Sequence, residues 1–118
     1  MTSVLGVDIG GTKIAAGPVD RAGTPLADPL IEATRTEDTT AFLAGLEATL
    51  RRALREFSDF SPMAVGLACA GTVDAGRGVV FASPNLPLSE TPVAGRMEDS
   101  LGFRVVLEND ANAAVLAE

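Results

Sequence analysis

The sequence has no histidine, no tryptophan and no tyrosine, and among its 118 residues it has one cysteine, Cys69, and one lysine, Lys13. Without histidine the segment offers no imidazole base, no imidazole metal ligand and no serine–histidine pair, which removes most hydrolytic and zinc chemistries from it. Without tryptophan or tyrosine it lacks the flat amphipathic rings on which a sugar face stacks, so a sugar bound here would be held by hydrogen bonds. A lone cysteine forms no intrachain disulfide, and a cytoplasmic setting is the default expectation. No apolar run approaches the roughly 20 residues of a spanning helix, and no basic segment precedes an apolar one at the start, so neither a membrane span nor a secretory signal is expected. Positive charge is scarce as well. Nine Lys and Arg against 16 Asp and Glu give a net charge of -7, which disfavours nucleic acid and anionic bilayers as partners.

What is present suits one soluble domain: 47% of the residues are apolar, enough for a core, and 21% are charged, too few for a disordered chain. Ser3 to Asp8 reads as a strand, Gly10-Gly11-Thr12 as a tight turn, and Lys13 to Val19 as a returning strand. Leu26 to Thr34 is expected as a third antiparallel strand, pushed to an edge by Pro29. Apolar residues at Phe42, Leu43, Leu46, Leu50, Ala53, Leu54 and Phe57 fall on one face of a helix, with Thr39 or Thr40 as its cap. The unbroken apolar run from Met63 to Ala70 predicts a strand covered on both faces, as central parallel strands are. Thr72 to Asp74 and Val79 to Ala82 predict a hairpin, and Ser83 to Pro92 a Pro-rich loop. A short helix over Val93 to Leu101 is stopped by Gly102, and Arg104 to Glu108 is a last strand before a helix over Ala111 to Glu118. That final helix carries no stop signal, so the chain is expected to be a piece of a longer protein.

Two constellations could carry chemistry. Asp8-Ile9-Gly10-Gly11-Thr12-Lys13 joins a carboxylate at a strand end to two glycines, a hydroxyl and the lysine, which are the parts of a phosphate and metal site. The plain alternative is a hairpin whose Gly-Gly makes a primed turn and whose Asp and Thr form local turn hydrogen bonds. The string has neither Walker spacing nor the strand-to-helix context of a dinucleotide fingerprint. Glu108-Asn109-Asp110-Ala111-Asn112 places a carboxylate and two amides where a strand gives way to a helix, and the alternatives are an ordinary N-cap or an Asp general base with Asn109 fixing the substrate. Gly71-Thr72-Val73-Asp74 and Ser83-Pro84-Asn85-Leu86-Pro87 are loops beside the buried strand, where α/β folds place ligands and where turn chemistry alone would also suit. Cys69 is expected to be a buried, inert thiol.

These four segments, in this order, resemble the N-terminal half of the ROK family, the bacterial sugar kinases and sugar-responsive repressors of the actin-like ATPase superfamily. The resemblance spans essentially the whole chain, and the Asn-Asp-Ala-Asn segment is its most family-specific part. It implies an α/β, ribonuclease-H-like domain over residues 1–118, with a five-stranded mixed sheet and helices on its faces, the C-terminal domain lying outside the chain. It also implies an ATP-dependent sugar kinase using Mg²⁺, with a hexose or N-acylhexosamine as substrate. Asp110 would be the general base that accepts the sugar hydroxyl proton. Asn85, Asn109 and the backbone around Gly71 would hold the other hydroxyls. Gly10, Gly11, Thr12 and Lys13 would face the ATP phosphates, and Asp8 would contact Mg²⁺ through water.

The same resemblance implies that the adenine pocket, a Glu-x-x-His sugar contact and a zinc site belong to the second domain, that the segment alone is inactive, and that the full-length protein is a homo-oligomer. Ala70 departs from the Pro that many members carry before the glycine. Two other readings stay open at this point. One is a sugar-sensing regulator, whose winged helix-turn-helix would precede Asp8. The other is an actin-like scaffold that handles no sugar, which Asn85 and Asn109 pointing into the core would support.

Overall fold

Along the first strand Leu5, Val7 and Ile9 alternate with Val4, Gly6 and Asp8, so one face is large and apolar and the other is small and ends in a carboxylate. The computed structural model of the chain describes residues 3–109. In chain order the elements are β1 (Ser3–Ile9), β2 (Lys13–Val19), β3 (Leu30–Ala33), α1 (Thr39–Glu56), a 3-10 turn (Ser58–Phe60), β4 (Pro62–Cys69), β5 (Thr72–Asp74), β6 (Val79–Ala82), β7 (Ser89–Thr91), α2 (Val93–Leu101) and β8 (Arg104–Glu108). Five strands form a mixed sheet in the order β3-β2-β1-β4-β8, antiparallel from β3 to β1 and parallel from β1 through β4 to β8. The remaining three form a small antiparallel sheet, β5-β6-β7.

Register keeps the two faces of the large sheet distinct. Val7 pairs with Ala16 and Leu67, and Leu67 pairs with Leu107, which lays a band of apolar side chains across four strands. The apolar stripe of α1 closes over that face, with Phe42, Leu46 and Leu50 buried against Leu5, Val7, Leu67 and Leu107. Met97 of α2 joins the same core. Leu46 has no exposed surface, so its truncation to alanine would cost about 2–5 kcal/mol. The opposite face carries Gly6, Ala15, Gly17, Gly66 and Ala68 along β1, β2 and β4.

Most expected elements are found at or within a residue of their expected ends, and three details differ. The third strand covers only Leu30–Ala33, because Pro29 interrupts the ladder, and upstream of it only an isolated bridge joins Val19 to Pro25. The cap of α1 is Asp38 and neither threonine: its Oδ1 accepts from the Ala41 N–H at 2.7 Å. A carboxylate with extended backbone one residue earlier meets the free amides better than a hydroxyl already inside the first turn. Within the Pro-rich loop, Ser89–Thr91 adds β7 to the hairpin, pairing Thr91 with Val80 and Ser89 with Ala82. The helix expected over Ala111 to Glu118 lies outside the described residues.

Candidate functional site

β1, β4 and β8 are parallel, so their C-terminal ends share one edge of the sheet; Gly10 to Thr12, Gly71 and Asn109 follow those ends, and Asn85 reaches Gly11 from the loop between β6 and β7. Asp8, Ala68 and Glu108 lie in register across the three strands, which sets the two acidic residues on the same face, their backbones about 10 Å apart with a small residue between them. Lys13 opens β2 on that same face, by alternation with Ala15, the partner of Asp8. Asp8 and Lys13 are both exposed, and neither forms an ion pair among the described residues.

The tip between β1 and β2 is not a primed turn. Such a turn needs positive φ, and the positive-φ glycines are Gly23, Gly71, Gly78 and Gly102. Gly10 and Gly11 are required instead by close approach: a Cβ on Gly10 would lie 3.1 Å from the Lys13 carbonyl oxygen, and one on Gly11 would lie 2.8 Å from Asn85 Cβ. The Gly10 N–H donates to the Lys13 carbonyl at 3.0 Å, and the Gly10 carbonyl accepts from Thr34 Oγ1 at 2.8 Å. The Thr12 carbonyl accepts from the Thr34 N–H at 3.0 Å. The N–H groups of Gly11 and Thr12, and the side chains of Asp8 and Thr12, have no hydrogen-bond partner among the described residues. The local turn bonds that would explain Asp8 and Thr12 as mere hairpin residues are therefore missing. The tip presents two unpartnered amides, a hydroxyl and an ammonium near a carboxylate. That donor set fits a polyphosphate, and the exposed carboxylate suits the water shell of a divalent cation.

The second loop is fastened to the first. Asn85, exposed and held at φ 67°, backs directly onto Gly11. Its loop is anchored at both ends: Ser83 Oγ donates to the Ala70 carbonyl, and Thr39 Oγ1, at the start of α1, donates to the Pro87 carbonyl at 2.6 Å. Gly71, at φ 123°, allows β5 to leave β4 against this loop; a Cβ there would collide with the Ala82 carbonyl and lie 2.8 Å from Ser83 Cα. Cys69 is buried beneath the same junction, and burial pushes its thiol pKa up, against a weaker opposing effect of Ser83. It is a poor nucleophile, as its surroundings in the sequence suggested. Asn109 is exposed at the end of β8, whereas Asp110 lies outside the described residues. With Asn85 and Asn109 both exposed, the condition set for a scaffold that handles no sugar is not met.

The structure thus brings Gly71, Asn85 and the Gly10–Lys13 tip together at one edge. It adds Thr34, which sequence reasoning missed, and gives Thr39, expected only as a helix cap, and Ser83, noticed only as part of its loop, the hydrogen bonds that fasten that loop. Each is a hydroxyl residue beside a strand or helix end, a placement that turn and cap chemistry makes too common to single out.

An α/β domain with a five-stranded mixed sheet of this order, a Gly-rich tip and a polar loop beside its parallel strand ends has the fold of the actin-like ATPase domains. The sequence pattern of the ROK family matches residues 4–118, and the chain belongs to that family. It is 36% identical over 118 residues to a glucokinase of Streptomyces coelicolor, covering 100% of this chain and 36% of the relative. The ROK family glucokinase of Streptomyces griseus, solved in complex with glucose and AMPPNP, superimposes with a TM-score of 0.80 at 38% identity, covering 94% of this chain and 34% of that one. A ROK family transcriptional regulator, a homologue of the Escherichia coli MLC protein, has the same fold at a TM-score of 0.82 and 15% identity, over 92% of this chain and 28% of its own. The chain spans about a third of the length of the curated relative it matches.

Proposed function

We propose that residues 1–118 form the N-terminal, ribonuclease-H-like domain of an ATP-dependent hexose kinase of the glucokinase type. The observation that carries this reading is the contact between Gly11 and Asn85, which sets a polyphosphate-binding tip directly against a loop bearing an exposed amide. Likeness over the whole chain to a glucokinase supports the same reading.

When bound, MgATP supplies the γ-phosphoryl group and the departing ADP. The chain's own part is to position and to accept a proton. The Gly11 and Thr12 amides and the Lys13 ammonium would hold phosphate oxygens, while Gly10 shapes the tip through its backbone and Asp8 would hold the water shell of Mg²⁺. Asn85, Asn109 and the backbone at Gly71 hold sugar hydroxyls. Asp110 takes the proton of the attacking hydroxyl as that oxygen bonds to phosphorus. This division suits phosphoryl transfer, which asks a protein chiefly for positioning and for donors around the transferred group.

The test is a coupled ADP-release assay on the full-length protein with MgATP and a panel of hexoses and N-acetylhexosamines. Turnover with glucose is expected. Thermal stabilisation by a sugar without turnover would move the reading to a sugar-sensing regulator, a possibility that the fold leaves open. In the same assay Asp110→Asn should lower kcat by about 10² or more while sugar affinity stays within a few-fold. Unchanged turnover would remove Asp110 as the base.

A further inference from the structure

We infer that Thr34 is a positioning residue that fixes the Gly10–Gly11 peptide so that the Gly11 N–H faces the nucleotide phosphates, an inference that rests on the polyphosphate role proposed for the tip. The Gly10 carbonyl and the Gly11 N–H belong to one planar trans peptide unit and point in opposite directions. The hydroxyl of Thr34 donates to that carbonyl at 2.8 Å from one side, and the N–H is thereby aimed to the other. Without this bond the Gly-Gly linkage would be free to rotate, since neither residue has a Cβ to restrict it. A rotated peptide would present a carbonyl oxygen where an anion needs a donor.

Two further bonds hold the frame in which that single peptide is set. The Gly10 N–H is tied to the Lys13 carbonyl at 3.0 Å, and the Thr34 N–H is tied to the Thr12 carbonyl at 3.0 Å. Both run from backbone to backbone and survive any substitution at Thr34 that keeps its N–H. The side-chain hydroxyl therefore acts on one peptide orientation and on little else. Thr34 itself is only partly exposed and directly follows β3, so its backbone is held by the β2–β3 ladder on one side and by the bond to the Thr12 carbonyl on the other.

The test compares Thr34→Val, which keeps shape and removes the hydroxyl, with Thr34→Ser, which keeps the hydroxyl, in the full-length protein. AMPPNP affinity is measured by calorimetry, KM and kcat for ATP and sugar by the coupled assay, and the Gly10 carbonyl ¹³C and Gly11 amide ¹⁵N shifts by NMR without nucleotide. Thr34→Val should weaken AMPPNP by about tenfold, raise the KM for ATP by a like factor, leave sugar affinity within about twofold, and move both shifts. Thr34→Ser should restore all of these to within about twofold of the unsubstituted protein.

Unaltered AMPPNP affinity in Thr34→Val overturns the inference, as does a serine variant as weak as the valine one. Unmoved Gly10 and Gly11 shifts, or a parent protein that does not bind AMPPNP, do the same. A parent that binds AMPPNP, shows the valine loss and the serine rescue, and yet phosphorylates no sugar would leave Thr34 in this role while ending the kinase reading.

Discussion

An alanine methyl at Gly11 would sit 2.8 Å from Asn85 Cβ, well inside contact distance, and the neighbour it meets belongs to a loop pinned at Ala70 and at Pro87. The loop can yield only by loosening those ties, so the disturbance spreads from the Gly10–Lys13 tip, proposed to hold phosphate, to the Asn85 loop, proposed to hold sugar. Gly11→Ala should therefore weaken both AMPPNP and glucose by about tenfold or more in calorimetry of the full-length protein. Loss confined to the nucleotide would show that the two loops move independently. The sequence made Gly11 conspicuous but for an incomplete reason. Its composition pointed to close approach by a phosphate, whereas the nearest observed constraint is Asn85, far away in the chain. Likewise Asp8, Lys13 and Gly71 drew notice by residue type and order, while Thr34 did not, because which carbonyl its hydroxyl reaches is set by the fold.

Elements were legible where one periodicity ruled. β4 is buried over six consecutive residues and read as a central strand from its unbroken apolar run, and α2 ended where Gly102 adopts the left-handed conformation. Legibility failed where tertiary partners decide. Nothing local in Ser89-Glu90-Thr91 announces a strand, and Glu90 at φ 47° is an unusual residue to find in one; β7 exists because β6 offers it an edge. The N-terminus of α1 shows the same division of labour. Asp38 caps the helix, which frees Thr39 to hold the Pro87 carbonyl. Paired substitutions should separate the two tasks. Asp38→Ala should lower unfolding stability by about 1 kcal/mol in denaturant titration with sugar affinity unchanged. Thr39→Val should leave stability within about 0.5 kcal/mol but weaken sugar binding several-fold. Indistinguishable behaviour of the two variants would mean that the Pro87 tie only supports the helix.

On the scale of the whole molecule the proposed function has an acidic domain with a net charge of -7 hold a polyanion. The conflict is resolved by distance. At physiological ionic strength charges are screened over about 8 Å, so phosphates at the tip respond to the nearest donors and not to the total. Four arginines, Arg35, Arg51, Arg52 and Arg77, are engaged with Glu37, Glu47, Glu32 and Asp74, whereas Lys13 stands at the strand-end edge without an ion pair among the described residues. The order of motifs along the chain suggested by resemblance that these groups belong to one site. Their convergence on one edge had to come from the parallel arrangement of β1, β4 and β8, which places the chain segments after all three strands on the same side. If Lys13 supplies the positive charge there, Lys13→Met should weaken AMPPNP by about tenfold or more in 0.1 M salt. It should also flatten the decline of affinity as NaCl rises from about 0.05 to 0.5 M, because one screened attraction has been removed. Equal slopes for the two proteins would place the ammonium away from the phosphates and leave the Gly11 and Thr12 amides as the donors that hold them.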